Sequence, residues 1–536
     1  MKKILIFMFL FSWIFAQFDL EPRMLGMSGA YTTVASGYQS IGINPANLMS
    51  NKSLSMNTFS ANAFVVNDFM SMDLYNNLNG ADFDNTASAS YYAKSDILDQ
   101  IKGSEIQIEG GGVIPLPILN FAYKNFGFST LNRTYAKFDI PKTIIDIMLN
   151  GNTKDQRFML GLGGELISCN EFGFTYANKF DYLGFPIHLG FTFKYLQGLV
   201  YFKMRDIEDN GSYILTEQTS FHGSGKYLVE QAFGGTGTSK DIGILLPEFV
   251  DGWNIGASLI NLGGNIKWTS NNPTRELLGE TFESVLQLRQ NEYYYLDFNI
   301  DTMSIMSAYN SDDGFFSSNM FKVGIFSDIP LEENFTEDQI LYYTVNSDGD
   351  SIINIGVSYI DSSSIVDLGD GSYLVPSENL QISQLQSPTS QDIHLDYPSS
   401  LRLGISKDFE EYGTLAIDLV TGFDDSFGNS SKFRLSVGTE IIRVSEHFPI
   451  RIGLSVGGRQ PNSYSLGLGY RAGPFNIDLG RKYYYGIIRN KAKGAEYGFN
   501  VTIDLTDVKN YSIKIKLPKI NKIKLPKLPK LPEARF

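Results

Sequence analysis

Cysteine occurs once in 536 residues, at Cys169, so no intramolecular disulfide can staple the fold and no cysteine follows the leader to carry a lipid anchor. Tryptophan is scarce, with 3 residues, and the 4 histidines, His188, His222, His394 and His447, lie at no metal-ligand spacing, so neither a cofactor nor a metal is expected. Positive charge is short as well: a net charge of −14 offers no basic footprint for nucleic acid. After Phe15 no apolar run reaches the roughly 18 residues that a membrane-spanning helix needs. Membrane residence would therefore require a closed barrel of strands, the other arrangement that pairs every backbone group away from water.

Catalytic patterns are missing too. Gly223-Ser224-Gly225-Lys226 lacks the upstream glycine of a phosphate loop, and Tyr227 stands where that motif needs Ser or Thr, so the segment reads as a flexible loop. Asn346, Asp348 and Asp350 have the alternate spacing of a calcium loop, but Ser351 and Val357 occupy the places of its Gly and Glu. His188 falls on the polar face of a strand with no legible acid or nucleophile beside it. No enzyme is expected.

What is present begins with Met1-Lys2-Lys3, an apolar stretch from Ile4 to Phe15, and Ala16, the pattern of a cleavable signal peptide over 1–16. The 39 Phe and 30 Tyr would suit aromatic girdles at two membrane interfaces. The dominant signal is a strand cassette in which apolar residues alternate with Gly, Ser or a charge. Ile187, Leu189, Phe191, Phe193 and Tyr195 oppose His188, Gly190, Thr192 and Lys194. The pattern recurs around Trp253–Leu259, Phe321–Ile325, Ile353–Tyr359, Leu401–Ser406, Arg434–Ile441, Ile450–Gly457, Tyr464–Arg471 and Phe499–Leu505.

A soluble sandwich that binds a polymer also alternates, with its apolar face turned inward. Three features favour a barrel: strands continue without a domain break, the polar face mixes glycine with charge, and the turns are unequal. Lys194, Arg402, Arg434, Glu440, Arg451, Arg471 and Asp478 are expected to face a hydrated lumen, with glycines between them letting the wall bend. Ser455→Arg on that face should be far milder than Leu454→Arg on the other. The turns Gly457–Asn462 and Arg471–Pro474 are tight, whereas 301–319, 330–350 and 361–397 are long and polar and should lie outside the cell. Short helices are expected at Met70–Leu78, Tyr91–Ile101 and Pro141–Asn150.

The mature N-terminus is crowded with small residues that can pack into a narrow space, and Asn44 before Pro45 is a sound helix-cap arrangement. Its runs Gly26-Met27-Ser28-Gly29-Ala30 and Asn44-Pro45-Ala46-Asn47-Leu48 resemble the hatch of the FadL family of outer-membrane transporters and of the related PorV-like and PorQ-like proteins. Leu259-Ile260-Asn261-Leu262-Gly263-Gly264 and Phe475-Asn476-Ile477-Asp478-Leu479-Gly480 look like barrel segments of the same group. No counterpart of the family's fatty-acid-binding residues is legible. The resemblance implies an all-β transmembrane antiparallel barrel of about fourteen strands with an N-terminal plug and a few short helices. The divisions expected are a hatch over 17–51, a barrel with long extracellular loops over 52–506, and a periplasmic tail over 507–536. Within the hatch, Gly26, Gly29, Asn44, Pro45, Ala46 and Asn47 are the candidate anchoring or gating residues.

The tail changes character at Ile513 and ends in Lys-Leu-Pro triplets from Lys524 to Pro532, which favour polyproline II and a semi-rigid basic segment suited to an anionic periplasmic partner. The resemblance implies passage of a hydrophobic or small organic solute through a barrel surrounded by outer-membrane lipid. A barrel that anchors a secretion or surface-attachment assembly without carrying solute is the alternative, and the polymer-binding sandwich is a second one.

Overall fold

The computed structural model describes residues 19–269 and 393–505, apart from a few loop positions, together with the backbone of some strands between them. The signal peptide, the strand expected at 353–359, the three long loops for most of their length, the candidate calcium residues and the basic tail lie outside the described residues.

The first strands of the wall are β1 (Ser55–Asn67), β2 (Glu105–Pro115), β3 (Asn120–Tyr123), β4 (Phe126–Pro141), β5 (Gly163–Tyr182) and β6 (Phe185–Asp206). They continue as β7 (Ser220–Val250), β8 (Trp253–Trp268), β9 (Ser400–Phe409), β10 (Gly413–Gly422) and β11 (Arg434–Ile441). The wall ends with β12 (Ile450–Gly457), β13 (Asn462–Ala472), β14 (Phe475–Tyr484) and β15 (Gly494–Asp504). Neighbours pair antiparallel, β2 and β3 share one position, and β15 pairs with β1, so the sheet closes as a 14-strand antiparallel barrel. Closure removes the free edges that an open sheet would leave.

The alternation read from the sequence maps onto the two faces of this wall. Leu189, Phe191, Phe193 and Tyr195 are exposed while Thr192 and Lys194 are buried, and Leu466 and Leu468 are exposed while Ser463 and Ser465 are buried. An apolar face turned outward excludes the soluble sandwich, which would bury that face.

The two ends differ. β3 and β4, β5 and β6, β7 and β8, β9 and β10, and β13 and β14 are joined by short turns at the end where β1 begins and β15 finishes. The opposite end carries the long excursions, including α2 (Met72–Leu78) and α3 (Lys94–Gln100), which follow α1 (Pro22–Gly26) in the chain, and α4 (Lys142–Asn150). Phe69, Leu74, Ile97, Ile101 and Ile106 form a small apolar core there.

Four expectations need correction. Gly223–Lys226 is not a loop: it lies within β7, the 31-residue strand, where Gly223 and Ser224 pair with Ile214 and Tyr213 on one side and all four residues pair with Asp297–Ile300 on the other. Alternating small residues in a pleated ladder need no φ above zero, so glycine there signals close packing instead of a turn. Pro141 is the last residue of β4 and the N-cap of α4, not its first helical residue. The tight turns Gly457–Asn462 and Arg471–Pro474 sit at opposite ends of β13, so turn length alone does not assign an end. The fourth concerns the lumen, which is not a hydrated channel.

Candidate functional site: a filled lumen

Residues 19–51 run inside the barrel and are almost entirely buried. Pro at the first helical position starts α1, and Asn44 caps a 3-10 turn over Pro45–Ser50 by accepting from the Ala46 N–H at 3.1 Å. Asn47 donates to the Thr32 carbonyl at 2.9 Å and to the Ala35 carbonyl at 3.1 Å, tying the segment to itself.

Glycine makes the seat for this segment. Gly190 pairs with Gly243, Gly256 with Gly404, Gly438 with Gly453, and Gly467 with Gly480, which pairs in turn with Gly498. A Cβ on Gly190 would lie 2.2 Å from Pro45 C, one on Gly453 2.3 Å from Met27 C, and one on Gly467 3.0 Å from Gly26 Cα. These glycines allow the hatch backbone to touch the wall, where the sequence suggested only bending.

Charge then fixes it, mostly on one side. Arg23 donates to both oxygens of Glu440 at 2.9 and 2.8 Å, Arg451 donates to Glu440 at 2.5 Å and pairs with Asp478 at 2.8 Å, and Arg471 reaches the same Asp478 at 2.8 Å. Asp19 receives Lys482 at 2.6 Å and Arg434 at 3.2 Å. Burial alone would raise the Asp19 pKa, but Lys482 and Arg434 outweigh it and hold it below the ordinary value. Asp418 accepts from the Tyr31 and Thr32 N–H groups at 2.9 and 2.8 Å and pairs with Arg402, which also donates to the Gly29 carbonyl at 3.1 Å. Across the lumen the contacts are neutral: Asn44 donates to the Ile244 carbonyl at 3.0 Å and Ser258 to the Ile43 carbonyl at 2.5 Å.

The charges expected in water are therefore buried in pairs. Arg402, Arg434, Glu440, Arg451 and Asp478 meet the hatch or one another, and only Arg471 stands partly exposed, at the short-turn mouth. Lys194 binds no hatch residue; it donates to Asn261 at 2.7 Å and pairs with Glu171 and Asp241, both at 3.1 Å. A buried charge survives only with such partners, because desolvation costs several kcal/mol per ion. Glu21 is the exception within the hatch. It accepts from Asn500 at 2.7 Å, but burial outweighs that bond and, with Asp478 nearby, pushes its carboxyl up to about 7.

Above the hatch, towards the long loops, the lumen turns aromatic. Tyr135, Tyr201, Trp268, Tyr397 and Phe427 belong to one buried apolar cluster. Trp268 stacks on Tyr201 at 6.0 Å, and Phe427 meets the same ring edge-on at 5.9 Å. Gly198 and Gly235, paired across β6 and β7, leave the space that Trp268 fills. Phe427 is carried into the chamber by the loop after β10, at a left-handed φ of +46° that a bulky side chain rarely adopts. Asp424 braces that loop by accepting from the Ser426 N–H and hydroxyl at 3.0 and 2.7 Å.

Two small cavities border the hatch, the first between it and the chamber and the second between it and the wall. One of about 50 Å³ is lined by Leu20, Cys169, Ile260, Tyr397, Arg402 and Phe427, and one of about 40 Å³ by Leu20, Ile41, Pro115, Leu131, Glu171 and Lys194. Each has room for only a few water molecules and is far below the roughly 300 Å³ of a small-molecule site. The second abuts an interruption of the wall. β1 pairs with β2 from Asn62↔Val113 outward and with β3 only over Ser55–Asn57, so among the described residues Thr58–Ala61 have no ladder partner on that side. The Asn120 side chain covers the gap, donating to the Leu116 carbonyl at 2.7 Å and accepting from the Thr130 N–H at 2.6 Å.

Sequence reasoning singled out Gly26, Gly29, Asn44, Pro45, Ala46 and Asn47, and all lie in this seat. It missed Asp19, Glu21, Arg23, Asp418 and Lys482, and the aromatic chamber entirely. Asp418, flanked by the outward Ile417 and Leu419, carried the alternation signal; the chamber residues come from β4, β6, β8 and two loops and carry none.

A closed antiparallel barrel with an apolar outer face, unequal ends and an internal N-terminal segment defines a transmembrane β-barrel of the outer-membrane type. The chain belongs to the family of unknown function DUF5723, whose family model matches residues 45–318. No curated protein matches it in sequence. Among solved structures it is similar to the toluene transporter TodX of Pseudomonas putida, at 10% identity over 91% of this chain and 98% of that one, with a TM-score of 0.39. A FadL homologue of Pseudomonas aeruginosa is similar at 10% identity over 92% of this chain and 100% of that one, with a TM-score of 0.40.

Proposed function

We propose that the chain is an outer-membrane channel that passes a hydrophobic or small organic solute and is held shut by its hatch. The observation that carries this reading is the arrangement of the lumen: an aromatic chamber on the long-loop side, a charged seat beneath it, one cavity between chamber and hatch, and a second between hatch and wall beside an interruption in the ladder. An apolar solute would exchange water for aromatic surface in the chamber, whereas the buried ion pairs below would reject it. Movement of Phe427 and of the segment around Leu20 and Ile41 would join the two cavities and lead towards the break.

The test is uptake by cells carrying the full chain in their outer membrane, with naphthalene as the apolar probe and glucose as the polar one. Faster naphthalene entry with unchanged glucose entry supports the reading; equal entry with and without the protein would sink it. A second reading, a barrel that anchors a surface or secretion assembly, is favoured by the small size of both cavities. A stoichiometric protein partner copurifying from native membranes, together with no uptake, would select it. The basic tail would then be the place to look for an anionic periplasmic contact.

A further inference from the structure

The glycine seat has an outer side. Where Gly467, Gly480 and Gly498 meet α1 and the residues beside it, the wall is one backbone thick, and its lipid-facing surface is hollowed into a groove of about 790 Å³. Ala61 and Ala63 on β1 form its floor, and Leu468, Leu479 and Phe499 rise beside them, with Leu468 57% and Leu479 50% exposed. At its end towards the long loops stands Arg481, an outward-facing cation and the one charged residue lining the groove. Its guanidinium lies 5.5 Å from the Tyr483 ring, and among the described residues it pairs with no carboxylate. Arg489 is exposed in the turn above, which joins β14 to β15.

A cation facing hydrocarbon is costly unless it reaches an interface or an anion. Arg481 is the seventh residue of β14 counted from the short-turn end, so its side chain can snorkel to the headgroup level of the leaflet on the long-loop side. The groove below it fits an acyl chain, and the two arginines fit the phosphate to which such a chain is attached, since Arg binds phosphate with paired, directed donors.

We infer that the outer wall over β1 and β13–β15 is a binding site for a phosphorylated lipid of the outer leaflet, with one acyl chain in the groove and its phosphate on Arg481 and Arg489. The inference rests on membrane residence but not on passage of a solute. Because the same three glycines line the groove outside and seat α1 inside, the bound chain also braces the wall against which the hatch docks.

The test uses the full chain in detergent, with heat-dependent migration on gels first establishing a folded barrel, so that loss of the membrane reading is seen separately. Native mass spectrometry then counts adducts of added bis-phosphorylated lipid A against phosphatidylcholine. Preferential lipid A binding is expected, weakened about fivefold by Arg481→Gln and further by adding Arg489→Gln. Ala61→Phe should fill the groove and reduce retention while leaving migration unchanged. Equal binding of both lipids, retention unaffected by Arg481→Gln and Ala61→Phe in a folded barrel, or dimers of this chain in place of lipid adducts would overturn the site.

Discussion

The lower and upper halves of the lumen are filled by different means. The lower half is sealed by ion pairs and by backbone meeting backbone across glycine, contacts that are specific in position and costly to break singly. The upper half is filled by rings from several strands and from the Phe427 loop, contacts that are less directional and can repack around a guest. On the proposed function, the lower half would hold the barrel shut and the upper would admit the solute. Substitutions should separate these roles.

The largest effect is expected from Glu440→Ala, which strands Arg23 and Arg451 without their shared carboxylate; about 3–5 kcal/mol of stability should be lost, read as a lower unfolding temperature of the folded band on gels. Leu454→Arg should cost roughly 2–4 kcal/mol by placing charge on the lipid face. The sequence alone makes Ser455→Arg mild, but Ser455 is buried against Ser463 at 2.6 Å, and an arginine there must displace the hatch. The two variants should therefore fail to a similar degree, and a well-assembled Ser455→Arg barrel would refute the filled lumen. Gly190→Val drives a side chain into Pro45 and should cost about 1–3 kcal/mol while raising ion conductance in planar bilayers, because the barrel can persist with its hatch unseated.

Phe427→Ala should leave migration close to normal but speed maleimide labelling of the single native cysteine, Cys169, which lines the cavity beneath that ring. Slower or unchanged labelling would separate Phe427 from access. The smallest effect is on pH dependence. The Glu21 carboxyl is raised from 4.5 to about 7, so the folded state holds its proton more tightly than the unfolded chain does. Stability from this group is greatest below pH 4.5 and falls as pH rises towards 7. Protease resistance of the hatch should decline over that window, and Glu21→Gln should flatten the decline.

Much of the wall is legible in the sequence. Strands at Leu401–Ser406, Arg434–Ile441, Ile450–Gly457 and Tyr464–Arg471 fall where alternation put them, on the faces it assigned, because a period of two is a local property of the chain. The helices near Met72–Leu78 and Lys94–Gln100 were marked by a break in that period. The state of the lumen was not legible. Alternation says that Arg451 and Ser455 face inward but not what meets them there, and a polar inward face is equally compatible with water and with a packed segment.

The partners of Glu440, at Arg23, and of Asp19, at Lys482, lie hundreds of residues away along the chain, and no periodicity links them. The sequence by itself determined strands, faces and the small-residue hatch, since each follows from side-chain size and polarity over a few neighbouring residues. Closure of β15 on β1, the filling of the lumen, the aromatic chamber and the groove outside Gly467, Gly480 and Gly498 were decided by the tertiary structure, because each depends on which distant strands the barrel brings together.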